Sequence, residues 1–368
     1  MQFDLTDDQR MIRESARRFL RDDACHARLR GIVNADAGYD PRTWEGLARE
    51  QGFAGLMIPQ AYGGAGLGAI EMALVLEETG GTLAVVPFFE TAVLAVQAIL
   101  SAGSEEQKAR LLPDIAAGKV RAAFAGTAGR PALSGGRLTG TARFVTFGHL
   151  ADLLLVATSD GSLLALPAAT PGISVERLPS LDRTRPLAHV GFDLEVPPEA
   201  ILGPPGGSAA AIARTLEVAA GLLAAEQTGG AQFCLDSTVG HVRERVQFGR
   251  PIGAFQAIKH ILADMMALVE ASRSGAYYAA VAIDRDDGER GEACSVALSW
   301  ASDCYRHCAG EAIQLHGAIG FTWEHHAHLY FKRARSSSTW LGTAERHRER
   351  IAAILLDGAD TDGGARHA

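Results

Sequence analysis

The stretch Arg243–Met266, RERVQFGRPIGAFQAIKHILADMM, decides how the rest of the chain is read. Two arginines, Arg243 and Arg245, flank Glu244, and the turn Phe248-Gly249-Arg250-Pro251 follows. Ile258, Leu262, Met265 and Val269 then fall at i, i+4, i+7 and i+11, one face of a 3.6-residue period, so a long helix is expected from near Phe255. A fixed planar cation and a glycine turn at the mouth of a helix suit an anion such as a diphosphate, because the backbone amides and the guanidinium both favour negative charge. The same residues also read as a solvated arginine and a helix-starting turn.

Helical periodicity extends outward from this stretch, from Ser208 to Leu356, and predicts a bundle of long helices. Upstream, Leu138–Thr146, Leu153–Ala157, Leu163–Leu166, Ile173–Leu178 and His189–Leu194 are short and β-rich, with Gly135-Gly136, Asp160-Gly161 and Pro171-Gly172 between them. They predict a small antiparallel β-domain, with Gly203-Pro204-Pro205-Gly206-Gly207 leading out of it. Residues 1 to about 120 read as helices. Thr6-Asp7-Asp8-Gln9 and Ser104-Glu105-Glu106-Gln107 are capping boxes, and Gly118 is placed to end the second helix. Gly63–Gly68 has the look of a dinucleotide fingerprint, but no buried strand leads in and no βαβ pattern follows, so it is read as a loop feeding a helix through Ala73–Leu76. The expected fold class is α+β: a helical domain over 1–120, a β-domain over 121–206 and a helical bundle over 207–368.

Composition narrows the function classes. The 368 residues are 47% hydrophobic and 21% charged, with net charge −8 and no long basic block, which argues against nucleic acid and anionic membranes as partners. No apolar run is long enough to span a bilayer, and Met1-Gln2-Phe3-Asp4 lacks a basic start and apolar core, so a cytoplasmic protein is expected. Five cysteines, Cys25, Cys234, Cys294, Cys304 and Cys308, are too few and too scattered for a disulfide framework. Cys304 and Cys308 share a helical face with His307 nearby. A metal site and buried core thiols are both readings of that pair, the second being the expectation, and no metal is expected.

Arg245–Met265, RVQFGRPIGAFQAIKHILADM, together with Ile313–Ala334, IQLHGAIGFTWEHHAHLYFKRA, resembles the flavin-dependent acyl-CoA dehydrogenase family over nearly the whole chain, from about Phe3 to Leu356. Helical block, β-domain and helical bundle are also that family's architecture. The family oxidises an acyl-CoA thioester between its α and β carbons: a carboxylate removes the α proton, a hydride leaves for the flavin, and backbone and ribityl donors hold the thioester oxygen.

The resemblance implies FAD as cofactor. It implies that Arg245 and Phe248, with Gln247, meet the diphosphate and adenine side, and that Ile252, Phe255 and Gln256 line the same groove, Phe255 standing where the family often has histidine. Gln314, Gly317 and Ala318 come from a neighbouring subunit by the same resemblance, and Thr343 lies near the adenine end. The ring-cradling loop of the β-domain is shortened here to Ala125–Pro131. Thr146, in Phe144-Val145-Thr146, remains to donate its hydroxyl, and Phe144 to replace the family's tryptophan face.

The base is the departure. The family's usual catalytic glutamate falls on Leu341, in Trp340-Leu341-Gly342-Thr343, which accepts no proton, although its backbone N–H can still serve a thioester oxygen. The alternative place on an earlier helix falls near Ala219 or Ala220. Glu217, one turn from Ala220, reads either as a base there or as part of a solvated helix face. His316, His325, His326 and His328 read as structural or CoA-side residues. Three functions follow. The chain is expected to be an acyl-CoA dehydrogenase that lacks its own base and pairs with a second subunit in a heterotetramer, with electron-transfer flavoprotein as acceptor. The others are a self-sufficient homo-oligomer, and a non-catalytic family member that is structural or binds acyl-CoA.

Overall fold

The computed structural model describes residues 5–22, 25–35, 37–286 and 288–357. The amino-terminal tetrapeptide, the side chain of Cys25 and the tail beyond Asp357 lie outside the described residues. The described residues fall into two compact units. One holds the described residues within 1–30, 73–84 and 220–359, the other those within 31–72 and 85–219.

The second unit holds α2 (Cys25–Asn34) from Gly31 on, α3 (Pro41–Trp44), the start of α4 (Ala69–Gly81), α5 (Val96–Ala102), α6 (Glu105–Ala116) and the strands. Loop Gly63–Gly68 leads straight into α4. In α6 the capping box is complete: the Gln107 N–H donates to Ser104 Oγ at 3.2 Å, and the Ser104 N–H to Gln107 Oε1 at 3.0 Å. The helix ends where Gly118 takes φ +65 and the Lys119 N–H reaches back to the Asp114 carbonyl at 2.9 Å, a left-handed cap that a side chain would strain.

The strands are β1 (Ala122–Ala125), β2 (Ala132–Ser134), β3 (Arg137–Thr146), β4 (Leu153–Ala157), β5 (Leu163–Pro167), β6 (Ile173–Arg177), β7 (Leu187–Glu195) and β8 (Ile201–Leu202). They form two four-stranded sheets, ordered β1-β4-β5-β8 and β2-β3-β7-β6. Leu138, Ala142, Val190, Phe192 and Leu194 from one sheet meet Ala123, Leu154, Val156, Leu164 and Leu166 from the other in a single apolar core. The antiparallel expectation holds with one exception: β1 runs parallel to β4, Ala122 opposite Leu153. Parallel neighbours need a long crossover, and here β2 and β3 provide it by passing through the other sheet. β1 and β2 were absent from the sequence expectation. β1 is buried along its whole length, so it shows no alternation to read.

The first unit holds α1 (Asp7–Asp22), the end of α4, most of α7 (Ala209–Glu244), the hairpin β9 (Val246–Gln247) and β10 (Arg250–Pro251), α8 (Gln256–Arg285), α9 (Arg290–His316), α10 (Ala327–Trp340) and α11 (Ala344–Asp357). Thr6 and Gln9 cap α1 reciprocally, at 3.2 and 3.0 Å. Within this unit α7 carries glycines on the faces it turns to its neighbours. A Cβ on Gly229 would lie 1.8 Å from the Glu77 carbonyl oxygen of α4, and one on Gly80 would lie 1.9 Å from the Glu226 carbonyl oxygen of α7. The two backbones therefore touch at a reciprocal glycine crossing. Polar groups flank it. Glu77 accepts from Arg273 Nε at 3.0 Å and from the Tyr277 hydroxyl at 2.6 Å, and Arg333 meets Glu226 at 2.8 Å, both of that pair being buried.

Candidate functional site

The hairpin after α7 pairs Arg250 with Gln247 and Pro251 with Val246. Its two central residues, Phe248 at φ +53 and Gly249 at φ +79, are both left-handed, the two-residue turn that suits a tight hairpin. Glycine takes that backbone freely, whereas a left-handed phenylalanine costs about 1–2 kcal/mol. Phe248 is also 92% exposed, so packing within the chain offsets little of this strain. Its ring meets Phe255 edge-on at 6.2 Å, and the Arg250 guanidinium lies over Phe255 at 4.2 Å.

Arg245 is exposed and has no ion-pair partner among the described residues; its backbone is tied by its N–H to the His241 carbonyl and by its carbonyl to the Ile252 N–H, each 2.8 Å. Phe255 is the N-cap of the 30-residue α8, no side chain caps that helix, and Gln256 opens it fully in reach of solvent. Its first-turn amides thus lack intrahelical acceptors. Free cation, open helix start and exposed aromatic face together fit a dinucleotide diphosphate and its adenine. Ile252 lies half-buried beside them, and Gln247 is exposed, its amide bonded to the Val246 carbonyl.

Gln314 and Ala318 are exposed, and Gly317 takes φ +67, ψ −144, a conformation open to glycine alone. His241, one turn before Arg245, stacks on His316 at 4.4 Å, which brings the ends of α7 and α9, and so both motifs, to the same end of this unit. Ile319 and Phe321 stand exposed next to them. Leu341 is the half-buried C-cap of α10. Its carbonyl accepts from His347 Nε2 at 3.1 Å. Thr343 is engaged as the cap of α11: its hydroxyl accepts from the Arg346 N–H at 3.3 Å.

The other unit carries the remaining candidates. Thr146 ends β3, buried, and its hydroxyl has no partner among the described residues. A bulge between Ala142 and Val145 precedes it, with Phe144 left-handed at φ +56, half-exposed, its ring edge-on to His189 at 5.6 Å. The loop after β1 is held by Arg130 Nε on the Gly126 carbonyl and by the Arg143 N–H on the Ala128 carbonyl. Glu217 is buried on α7 and engaged, so its reading as a solvated helix face is corrected: this turn of α7 is packed, with Val218, Ala219 and Ala220 buried alongside it. The sequence missed His347, which lies six residues from the carbonyl it holds and has no motif around it.

The histidines form a stack: His316 on His241, and His325 on His316 at 4.3 Å. His316 Nδ1 donates to the Ala312 carbonyl at 2.7 Å, and His325 Nδ1 accepts from the Ala327 N–H at 3.1 Å. Burial first, then the neighbouring His316, push His325 down to about 4, and burial with Lys332 does the same to His328. Both are neutral in the fold, while in the unfolded chain they titrate near 6.5. The unfolded state therefore binds more protons between these values, and stability falls as pH drops from about 6.5 to about 4. The melting temperature is expected to be insensitive to these groups above that window and to decline within it, with a shallower decline in His325→Asn. Equal slopes for the two proteins would remove His325 from the effect. Cys304 and Cys308 are buried core thiols, Cys308 with its pKa pushed up by its thiol hydrogen bond with Cys304 and by burial, and no group of three metal-type ligands occurs among the described residues.

Two family models match, "Acyl-CoA dehydrogenase, N-terminal domain" over residues 6–119 and "Acyl-CoA dehydrogenase, C-terminal domain" over residues 206–356. The chain is 35% identical over 354 residues to the acyl-CoA dehydrogenase IpdE2 of Mycolicibacterium smegmatis, covering 96% of this chain and 100% of that one. Among solved structures it resembles the ChsE4-ChsE5 complex from Mycobacterium tuberculosis, at TM-score 0.88 and 27% identity over 97% of this chain and 99% of that one. It also resembles the Tcur3481-Tcur3483 steroid ACAD, at TM-score 0.84 and 33% identity over 96% and 98%. No helix among the described residues is long and apolar enough to cross a membrane. With its two motifs, its helical and β architecture and these relatives in agreement, the chain belongs to the acyl-CoA dehydrogenase family, FAD-dependent oxidoreductases acting on acyl-CoA thioesters.

Proposed function

We propose that this chain is the FAD-binding subunit of a cytoplasmic heteromeric acyl-CoA dehydrogenase and that a second family subunit supplies the base. The observation that carries the reading is Leu341: an apolar side chain at the C-cap of α10, where the family places its glutamate. The likeness to ChsE4-ChsE5 and to a steroid ACAD built from two named components supports a two-subunit assembly and favours a steroid-derived or similarly bulky acyl group.

 

In this reading Arg245 and the first turn of α8 hold the FAD diphosphate, with Gln247, Phe248, Ile252, Phe255 and Gln256 around the adenine side. Gln314, Gly317 and Ala318 reach the cofactor of a neighbouring subunit, Thr343 lies near the adenine end, and the Thr146 hydroxyl, without a partner among the described residues, is kept for the flavin ring. FAD, when bound, accepts the hydride that leaves the β carbon. This chain's part is to hold the thioester oxygen through the Leu341 N–H, which stabilises the charge that develops as the α proton departs. The partner's carboxylate takes that proton. Electron-transfer flavoprotein is the proposed acceptor, and the three-part division at residues 1–120, 121–206 and 207–368 is the proposed domain organisation.

The FAD assignment is tested through Arg245→Ala. Losing one charge-assisted contact to a diphosphate costs about 1.5–3 kcal/mol, so FAD affinity is expected to drop roughly 10- to 100-fold while helix content stays near that of the parent protein. Unchanged flavin stoichiometry after dilution and dialysis would take Arg245 out of the site. The assembly itself is tested by co-expression with a candidate partner: a yellow complex with turnover supports the heteromer, and a yellow, active, single-component oligomer overturns it.

A further inference from the structure

Helix α10 stops at Trp340, and Leu341 leaves it at φ −106, ψ 26. Gly342 follows at φ +111, and α11 begins at Ala344 beneath its cap, Thr343. The first turn of α11 is closed by the His347 N–H on the Thr343 carbonyl at 3.1 Å. That turn carries the imidazole back over the end of α10, where Nε2 donates to the Leu341 carbonyl at 3.1 Å. The ring is 7% exposed, and its Nδ1 has no partner among the described residues. It also lies close against Gly342, since a Cβ there would come within 2.8 Å of Nε2. Any other residue at Gly342 would strain the backbone and push the imidazole away.

Leu341 is therefore pinned from both sides. The last turn of α10 holds it from the amino-terminal side, and the imidazole holds its carbonyl from the other. Between these restraints the peptide planes on both sides of Leu341, and so the direction of its N–H, are fixed. Burial lowers the affinity of His347 for a proton, with Arg350 and Arg346 adding to it against the bond to Leu341, so the ring acts as a neutral donor near neutral pH.

We propose that His347 is a positioning residue for thioester binding: its bond to the Leu341 carbonyl fixes the Leu341 N–H as the donor to the thioester oxygen. The proposal rests on the reading of Leu341 as that donor. A purely structural His347 would only cap the C-terminus of α10 and would affect stability alone.

The test uses the flavin-loaded complex of the full chain and two probes that differ by one carbonyl, octanoyl-CoA and its thioether analogue S-octyl-CoA. The ratio of their dissociation constants reads the donor to the carbonyl. The wild-type complex is expected to favour the thioester by about 3- to 10-fold, the worth of one hydrogen bond. In His347→Leu the ratio should collapse toward one while thioether affinity is kept, and His347→Gln, whose side-chain amide can donate in place of Nε2, should restore it. An unchanged ratio in His347→Leu overturns the proposal even if the variant melts earlier. A wild-type ratio of one instead removes Leu341 as the donor, and the proposal with it. Should His347→Leu fail to fold, the ¹⁵N resonances of the wild-type ring decide: Nε2 protonated with Nδ1 bare is expected, and the opposite tautomer overturns the assignment.

Discussion

Purified without a partner chain but loaded with FAD, the protein is expected to dehydrogenate acyl-CoA thioesters barely, about 10²–10⁴-fold below its activity in the complex, the usual contribution of a general base. The α C–H beside a thioester is a weak acid, and polarising the carbonyl through the Leu341 N–H does not remove its proton. Leu341→Glu puts a carboxylate at the end of α10 and is expected to raise the turnover of the lone, flavin-loaded chain. Glu217 is the internal competitor for the role. It is buried on α7 but already engaged, and a carboxylate with its own partner is a poor base unless the substrate displaces that partner. Ordinary turnover by the lone chain, abolished by Glu217→Gln, would overturn the missing-base reading. Turnover restored by a partner and indifferent to Glu217→Gln would place the base in the partner.

Gly229→Ala is expected to have the largest effect on folding. The added methyl would sit 1.8 Å from the Glu77 carbonyl oxygen, and the obstacle is backbone, which has no rotamer to move into. Ordinary overpacking costs about 1–3 kcal/mol, and separating two helices at their crossing is expected to exceed that range. The helices cannot part without loosening the Glu77 bonds to Arg273 and Tyr277, which lie on α8. The control is Gly240→Ala on the same helix, where nothing lies within 4 Å of the new Cβ. There the exchange removes only glycine's helix penalty and should stabilise by about 0.5–1 kcal/mol. Thermal melts of the two variants give the comparison, and similar melting temperatures would show that the crossing tolerates a methyl group.

The sequence by itself determined the features whose causes are local. Thr6 with Gln9, and Ser104 with Gln107, close as capping boxes because each pair spans three residues of one helix turn. The period of Ile258, Leu262, Met265 and Val269 placed α8, and Met265 and Val269 are its buried face. Short β-rich runs between glycine turns marked β3 and β7, and the two long motifs gave the family. It also showed that Leu341 cannot be a base, since that is a property of the residue type alone. Only the tertiary structure decided the parallel pairing of β1, because a fully buried strand has no alternation and its partner is set by the crossover. It alone decided that Phe248 is left-handed and exposed, that Gly80 and Gly229 let two helices touch, and that His347 holds the Leu341 carbonyl. The bond between Tyr277 and Glu77 joins residues 200 positions apart. Such contacts depend on how whole helices cross, and the short-range preferences that a sequence displays carry no record of that geometry.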